Sequence, residues 1–139
     1  MPTKLKVELS KHVSAPLVTP SLIKHIWQGT RRHVRIPTNW QAVSVVVVGD
    51  AEMKGLNQRY RQQASVTDVL SFPYGHDGGE IVLCYSQAKR QAKLKQDSLR
   101  REVSWLLIHG LLHLLGYDHE RTRDAQVMRP LEQKILAYV

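Results

Sequence analysis

The order of elements along the chain predicts one mixed β-sheet in a single domain, residues 1–139, with helices packed mainly on one face. Three observations point there. Strand and helix signals run strand, helix, strand, helix, two strands, then three helices. Ala42 to Val48 (AVSVVVV) is a continuous β-branched stretch, as in a strand covered on both faces. Val103 to Leu115 is apolar nearly all round, which marks a buried helix. With 139 residues, 42% of them hydrophobic, the chain is long enough for one sizeable core.

Each element follows from local chemistry. Lys4 to Leu9 alternates apolar and polar residues and reads as an edge strand. Thr19-Pro20 offers an N-cap and a first-turn proline, so a helix is expected to about Arg32. Pro37-Thr38-Asn39 breaks the chain before the valine-rich strand. Asp50 is suited to cap the next helix, which carries Met53, Leu56, Asn57, Tyr60 and Arg61 at helical spacing. Val66 to Phe72 reads as a strand ended by Pro73, Tyr74 to Gly79 as a turn-rich loop, and Glu80 to Cys84 as a short apolar strand. Helices are expected over Ser86 to Lys95, over Ser98 to Leu115, and from the His119-Glu120-Arg121 turn to about Tyr138. Gly116 fits the position after a helix end, where a left-handed backbone is needed.

Twenty Lys and Arg against twelve Asp and Glu give a formal charge of +8. Such an excess draws polyanions and argues against an acidic binding module, although many basic proteins use it only for solubility. The lone Cys84 cannot form an internal disulfide, which suits a reducing compartment. The N-terminus has no apolar leader core, and the longest apolar runs are far too short to span a bilayer. A soluble cytoplasmic protein without a membrane partner is the expectation.

The stretch WLLIHGLLHLLGYDHE, Trp105 to Glu120, carries the chemistry. His109 and His113 are four apart and project from one face of the buried helix. Burying two imidazoles costs free energy unless each finds a partner, and one bound cation serves both. Gly116 lets the chain reverse, so His119 can return to the same point. Three neutral imidazoles leave the fourth tetrahedral position open, the catalytic arrangement for zinc, whereas a structural site is closed by four ligands. Histidine donors favour one zinc per chain, while nickel, copper and iron accept the same donors. His12, His25, His33 and His76 are isolated and read as ordinary hydrogen-bonded residues.

The spacing is similar to the metzincin peptidase motif H-E-x-x-H-x-x-G-x-x-H, with Gly110 where the general-base glutamate would stand. Glu102 lies seven residues earlier, about 10 Å along the helix, too far to take its place. Peptide hydrolysis needs a proton delivered to a poor leaving group, so this loss bears hardest on a peptidase. A phosphodiester suits the remaining groups better. Zinc lowers the pKa of coordinated water to ~7 and polarises phosphoryl oxygen, and a cation is then needed for the developing charge.

The blocks HGLLHLLGYDH, LNQRYR (Leu56 to Arg61), TDVLSFP (Thr67 to Pro73) and GGEIVL (Gly78 to Leu83) resemble the YbeY family of bacterial endoribonucleases, over roughly Gly49 to the C-terminus. The resemblance implies an α+β, zincin-like fold with the first two ligands on a central buried helix. It implies zinc on His109, His113 and His119, and Arg61 as the catalytic-site arginine facing phosphate. It also implies action on single-stranded ribosomal RNA in rRNA maturation and ribosome quality control, with the ribosome or its proteins as further partners and no DNA. Gly79-Glu80-Ile81 departs from the family's usual G-D-I by one methylene.

Several residues keep two readings. Asp68 either fixes the turn into its strand or orients Arg61 or a ligand histidine. Asp118 has the same two options, and Asn57 either shares the face of Arg61 or is surface. Gly110 either admits a strand or substrate closely or is a packing glycine. Cys84 reads as an inert buried thiol. The six cations from Lys89 to Arg101 form either a backbone-tracking surface or a solvated helix face. No RNA-recognition aromatic motif is visible in the sequence. Two rival functions stand beside the nuclease: a metzincin-like peptidase or amidase, and a non-catalytic zinc-containing ribosome assembly factor.

Overall fold

The computed structural model describes residues 6–75, 77–117 and 122–139, and the side chains of residues 122–125 lie outside that description. Strand β1 (Lys6–Lys11) is followed by α1 (Pro20–His33), β2 (Ala42–Val48) and α2 (Asp50–Arg61). Then come β3 (Val69–Pro73), β4 (Gly78–Cys84), α3 (Tyr85–Lys95), α4 (Leu99–Leu114) and α5 (Thr122–Tyr138). The sheet order is β1-β2-β4-β3, with β1, β2 and β4 parallel and β3 antiparallel to β4. The sheet is therefore mixed, as its element order requires.

Side-chain alternation divides this sheet into two unequal faces. Val43, Val45 and Val47 of β2 and Ile81 and Leu83 of β4 belong to the main core with α1, α4 and α5. The alternate residues Val46, Val48, Val82 and Cys84 meet Leu70 and, from α2, Met53 and Leu56 in a smaller cluster. Helices thus lie mainly on one face, and α2 covers part of the other.

Local signals set most helix ends. Thr19 accepts a hydrogen bond from the Leu22 N–H at 3.1 Å, and Pro20 occupies the first helical position of α1. Asp50 departs from its expected capping role. Gly49 is the N-cap, and the Asp50 carboxylate turns instead to α3. There it accepts from Ser86 Oγ at 2.7 Å and from Arg90 Nη2 and Nη1 at 2.7 and 3.0 Å. A charged, forked partner outcompetes two backbone amides, and the carboxylate still lies near two helix N-termini.

The strands shift in ways local pattern does not reveal. β1 runs two residues past its expected end, to Lys11, and is an edge strand as expected, while its expected start at Lys4 lies outside the described residues. β3 begins at Val69, not Val66, because Asp68 Oδ1 takes the Val69 N–H at 2.7 Å. It also runs through Pro73, which an edge strand tolerates. β4 begins two residues early, at Gly78. That residue has φ +125°, and a Cβ there would strike the Ala42 carbonyl oxygen, so glycine allows β2 and β4 to meet.

Candidate metal and phosphate site

Helix α4 starts at Ser98, whose hydroxyl accepts from the Arg101 N–H at 3.1 Å. Leu106, Ile108 and Leu112 are wholly buried, and each such side chain contributes about 1.5–3 kcal/mol of apolar burial. The helix closes with paired bonds from the Tyr117 N–H to the Leu112 carbonyl and from the Gly116 N–H to the His113 carbonyl. Gly116 has φ +101°, the left-handed stop its sequence position calls for.

Gly110 marks the closest approach of α4 to the sheet. A Cβ there would stand 2.9 Å from Ile81 Cγ2, 3.2 Å from Ser71 Oγ and 3.3 Å from Val69 Cγ2. Ser71 Oγ donates to the Gly110 carbonyl at 2.9 Å, fastening helix to strand. The missing peptidase glutamate therefore has a physical reason: its position faces packed strands. Of the two readings for Gly110, close approach of a strand holds.

One residue before and three after this contact, His109 and His113 present their rings side by side. The centroids are 4.8 Å apart with planes at 66°. Glu132 of α5 organises the first ring. Its Oε1 lies 2.7 Å from His109 Nδ1, while its Oε2 accepts from Trp105 Nε1 at 3.0 Å. A carboxylate at Nδ1 holds a proton on that nitrogen and makes Nε2 the lone-pair-bearing atom, the usual arrangement for a metal-ligating histidine. Glu132 is only 5% exposed, so the anion is held by these two donors in a site that excludes most water. It is a candidate site residue that the sequence reading missed. Its trace was available, since a carboxylate interrupts the apolar stripe Met128, Ile135 and Leu136 at helical spacing.

His109, His113, Trp105 and Glu132 line a cleft of about 830 Å³ beside edge strand β3. Arg61, the last residue of α2, lines the same cleft. The helix stops there because Gln62 adopts a left-handed backbone, with φ 58°. The Arg61 side chain is exposed and makes no hydrogen bond or ion pair among the described residues. Two of the site residues expected from the α4 helix and the one from α2 are thus brought to one cavity. His119 lies outside the described residues, as do Asp118, Glu120 and His76. Among the described residues no three His, Cys, Asp or Glu side chains are grouped to hold a metal. The donors present fit a borderline-soft divalent ion: two adjacent imidazoles, one of them oriented by a buried carboxylate.

The neighbouring residues resolve in turn. Asp68 lines the cleft, but its carboxylate takes the Val69 N–H, the turn-fixing role. Asn57 is not surface: it is buried, and its Nδ2 donates to the Ser65 carbonyl at 2.9 Å, tying down the segment after α2. Glu80 accepts from the Tyr74 hydroxyl at 2.9 Å, a local contact. Cys84 is buried, and burial pushes its thiol pKa up, in keeping with an inert residue. The cation group is not a continuous free surface. Arg90 pairs with Asp50, Lys95 with buried Glu102, and Arg101 with Asp97.

A central helix bearing two histidines, a mixed sheet and an arginine lining the same cleft define a small single-domain α+β protein with its polar site beside edge strand β3. The family model described as endoribonuclease YbeY matches residues 8–139. The chain is 47% identical over 103 residues to the endoribonuclease YbeY of Thermodesulfovibrio yellowstonii, covering 68% of this chain and 65% of that one. It is 33% identical over 139 residues to that of Persephonella marina, covering 94% and 90%. The solution structure of a Thermotoga maritima protein superposes with a TM-score of 0.70 at 26% identity, over 95% of this chain and 87% of that one. The chain belongs to the endoribonuclease YbeY family. It spans just under two thirds of the Thermodesulfovibrio relative and most of the Persephonella one. No helix among the described residues is long and apolar enough to cross a membrane.

Proposed function

We propose that this protein is a zinc-dependent, single-strand-specific endoribonuclease acting in rRNA maturation and ribosome quality control in the cytoplasm. The observation that carries the proposal is the sharing of one cleft by Arg61, His109 and His113. His109 and His113, with His119, would hold the ion. When bound, zinc supplies Lewis acidity toward a phosphoryl oxygen and a hydroxide source near neutral pH.

The remaining work falls to the chain itself. Arg61 offers a planar fork of donors to two oxygens of the scissile phosphate, and an ammonium would not reproduce that bidentate hold. Glu132 keeps the proton on His109 Nδ1 and fixes the ring's direction, and Trp105 fixes Glu132. Helix α4 cannot drift, because Ser71 clasps it at Gly110. The formal charge of +8 favours an anionic polymer over a peptide. Packing around Gly110 also counts against the peptidase reading, since a glutamate side chain has no room there.

The test is cleavage of single-stranded and duplex RNA by metal-matched wild-type and His113→Ala protein, the variant controlling for contaminating nuclease. Cleavage confined to wild type and to single strands is expected. Product ends carrying a 2′,3′-cyclic phosphate assign the ribose hydroxyl as nucleophile, and hydrolytic ends assign water. Turnover of a peptide pool without RNA turnover would overturn the proposal.

A further inference from the structure

The cleft holds an aromatic pair that the phosphate chemistry does not use. Tyr60 is 57% exposed, unusual for so large a ring beside a protein's polar cleft. It meets Phe72 with ring centroids 5.0 Å apart and planes at 61°, an edge-to-face contact. Phe72 in turn packs against the small core cluster of Val48, Met53, Leu70, Val82 and Cys84. Tyr60 is thus braced from below by a residue anchored in the sheet, while more than half of it stands in solvent. Tyr60, Phe72 and Arg61 all line the cleft that holds His109 and His113.

We propose that Tyr60 is a nucleobase-stacking residue, taking the base of the nucleotide whose phosphate Arg61 holds. This rests on the reading of the cleft as an RNA site. Successive residues on a helix point about 100° apart, so Tyr60 and Arg61 diverge within one cavity. That divergence matches a nucleotide, which carries its anionic phosphate and its flat base in different directions. A braced tyrosine loses little conformational freedom on binding, having only two χ angles. Every base has a π-face, so such a platform takes bases without reading sequence. A base paired within a duplex is not available to it, whereas an unstacked base in a single strand is. The pair therefore supplies a physical source of single-strand preference from residues twelve apart in sequence, which no local motif displays.

The experiment uses the full, metal-loaded chain and a short single-stranded RNA, together with a series of the same RNA carrying one abasic nucleotide at each position in turn. Tyr60→Leu is expected to raise KM by about five- to a hundredfold with kcat unchanged, the range of one lost base stack. Tyr60→Phe is expected to behave as wild type. Wild type should lose a similar factor at one abasic position, and Tyr60→Leu should lose nothing further at that position. Tyr60→Phe should melt as wild type, and Tyr60→Leu, which gives up the edge contact with Phe72, should remain folded at the assay temperature. Equal KM for wild type and Tyr60→Leu, additive losses at every abasic position, or a fall in kcat alone would overturn the stacking role while leaving RNA cleavage standing. Absence of RNA turnover by wild type would overturn the reading of the cleft itself, and the stacking role with it.

Discussion

Glu132 Oε1 and His109 Nδ1 lie 2.7 Å apart, bridging α5 to the helix that carries His109 and His113. The other carboxylate oxygen is held by Trp105. Glutamine at 132 has one acceptor oxygen where two donors now find one each. Glu132→Gln is therefore expected to weaken zinc affinity by about 10–100-fold, the usual effect of losing a ligand's outer partner. Competition against a chromophoric chelator measures this directly, and unchanged affinity would remove Glu132 from the site.

Arg61 lines the same cleft and is exposed. Arg61→Ala is expected to lower kcat/KM on RNA by roughly 10²–10³-fold, the effect of removing one transition-state donor, with zinc content unchanged. Arg61→Lys should recover only part, since it keeps charge and loses the fork. Metal analysis alongside single-turnover cleavage separates this from loss of the ion.

Gly110 tests the packing argument. Gly110→Ala improves helix propensity by about 1 kcal/mol but presses on Ile81, Ser71 and Val69, where overpacking costs about 1–3 kcal/mol. A net loss of about 1 kcal/mol in urea denaturation is expected. Gly110→Glu should be far more damaging and should not yield a peptidase. A stable Gly110→Glu protein would contradict the account of why the glutamate is missing.

Asp50 gives a pH signature. Arg90 first, then Ser86, hold its carboxyl well below the usual carboxylate range. A depressed folded pKa contributes stability above the unfolded value of ~3.9, and this is lost as pH falls through the folded value. Asp50→Asn should therefore be less stable than wild type at neutral pH, and the gap should narrow below about pH 4. Because the pair is nearly half exposed, added salt should shrink it too. Urea midpoints across pH 2–7 check both.

What the sequence disclosed and what it withheld divide along range. Thr19-Pro20 caps α1 as read, because a cap is a three-residue event. Ala42–Val48 coincides with β2, because a β-branched run between breakers has few alternatives. The shared face of His109 and His113 follows from helix geometry alone. The meeting of Arg61 with those histidines follows from no local rule and was expected only through family resemblance. Asp50's choice of Arg90 over its own helix end, the pressure of Ile81 on Gly110, and Glu132 reaching His109 all depend on how distant elements pack. So does the early start of β4, since YGHDGG resembles a loop until Ala42 is laid against Gly78.

The dependence of His109 on α5 has a consequence for the order of synthesis. A nascent chain that has emerged only as far as α4 already contains the four described strands, His109, His113 and Arg61. It lacks the carboxylate that pins the first imidazole and the acceptor for the Trp105 indole. The contact that fixes the His109 ring is thereby deferred until α5 has left the translating machine and docked against α4.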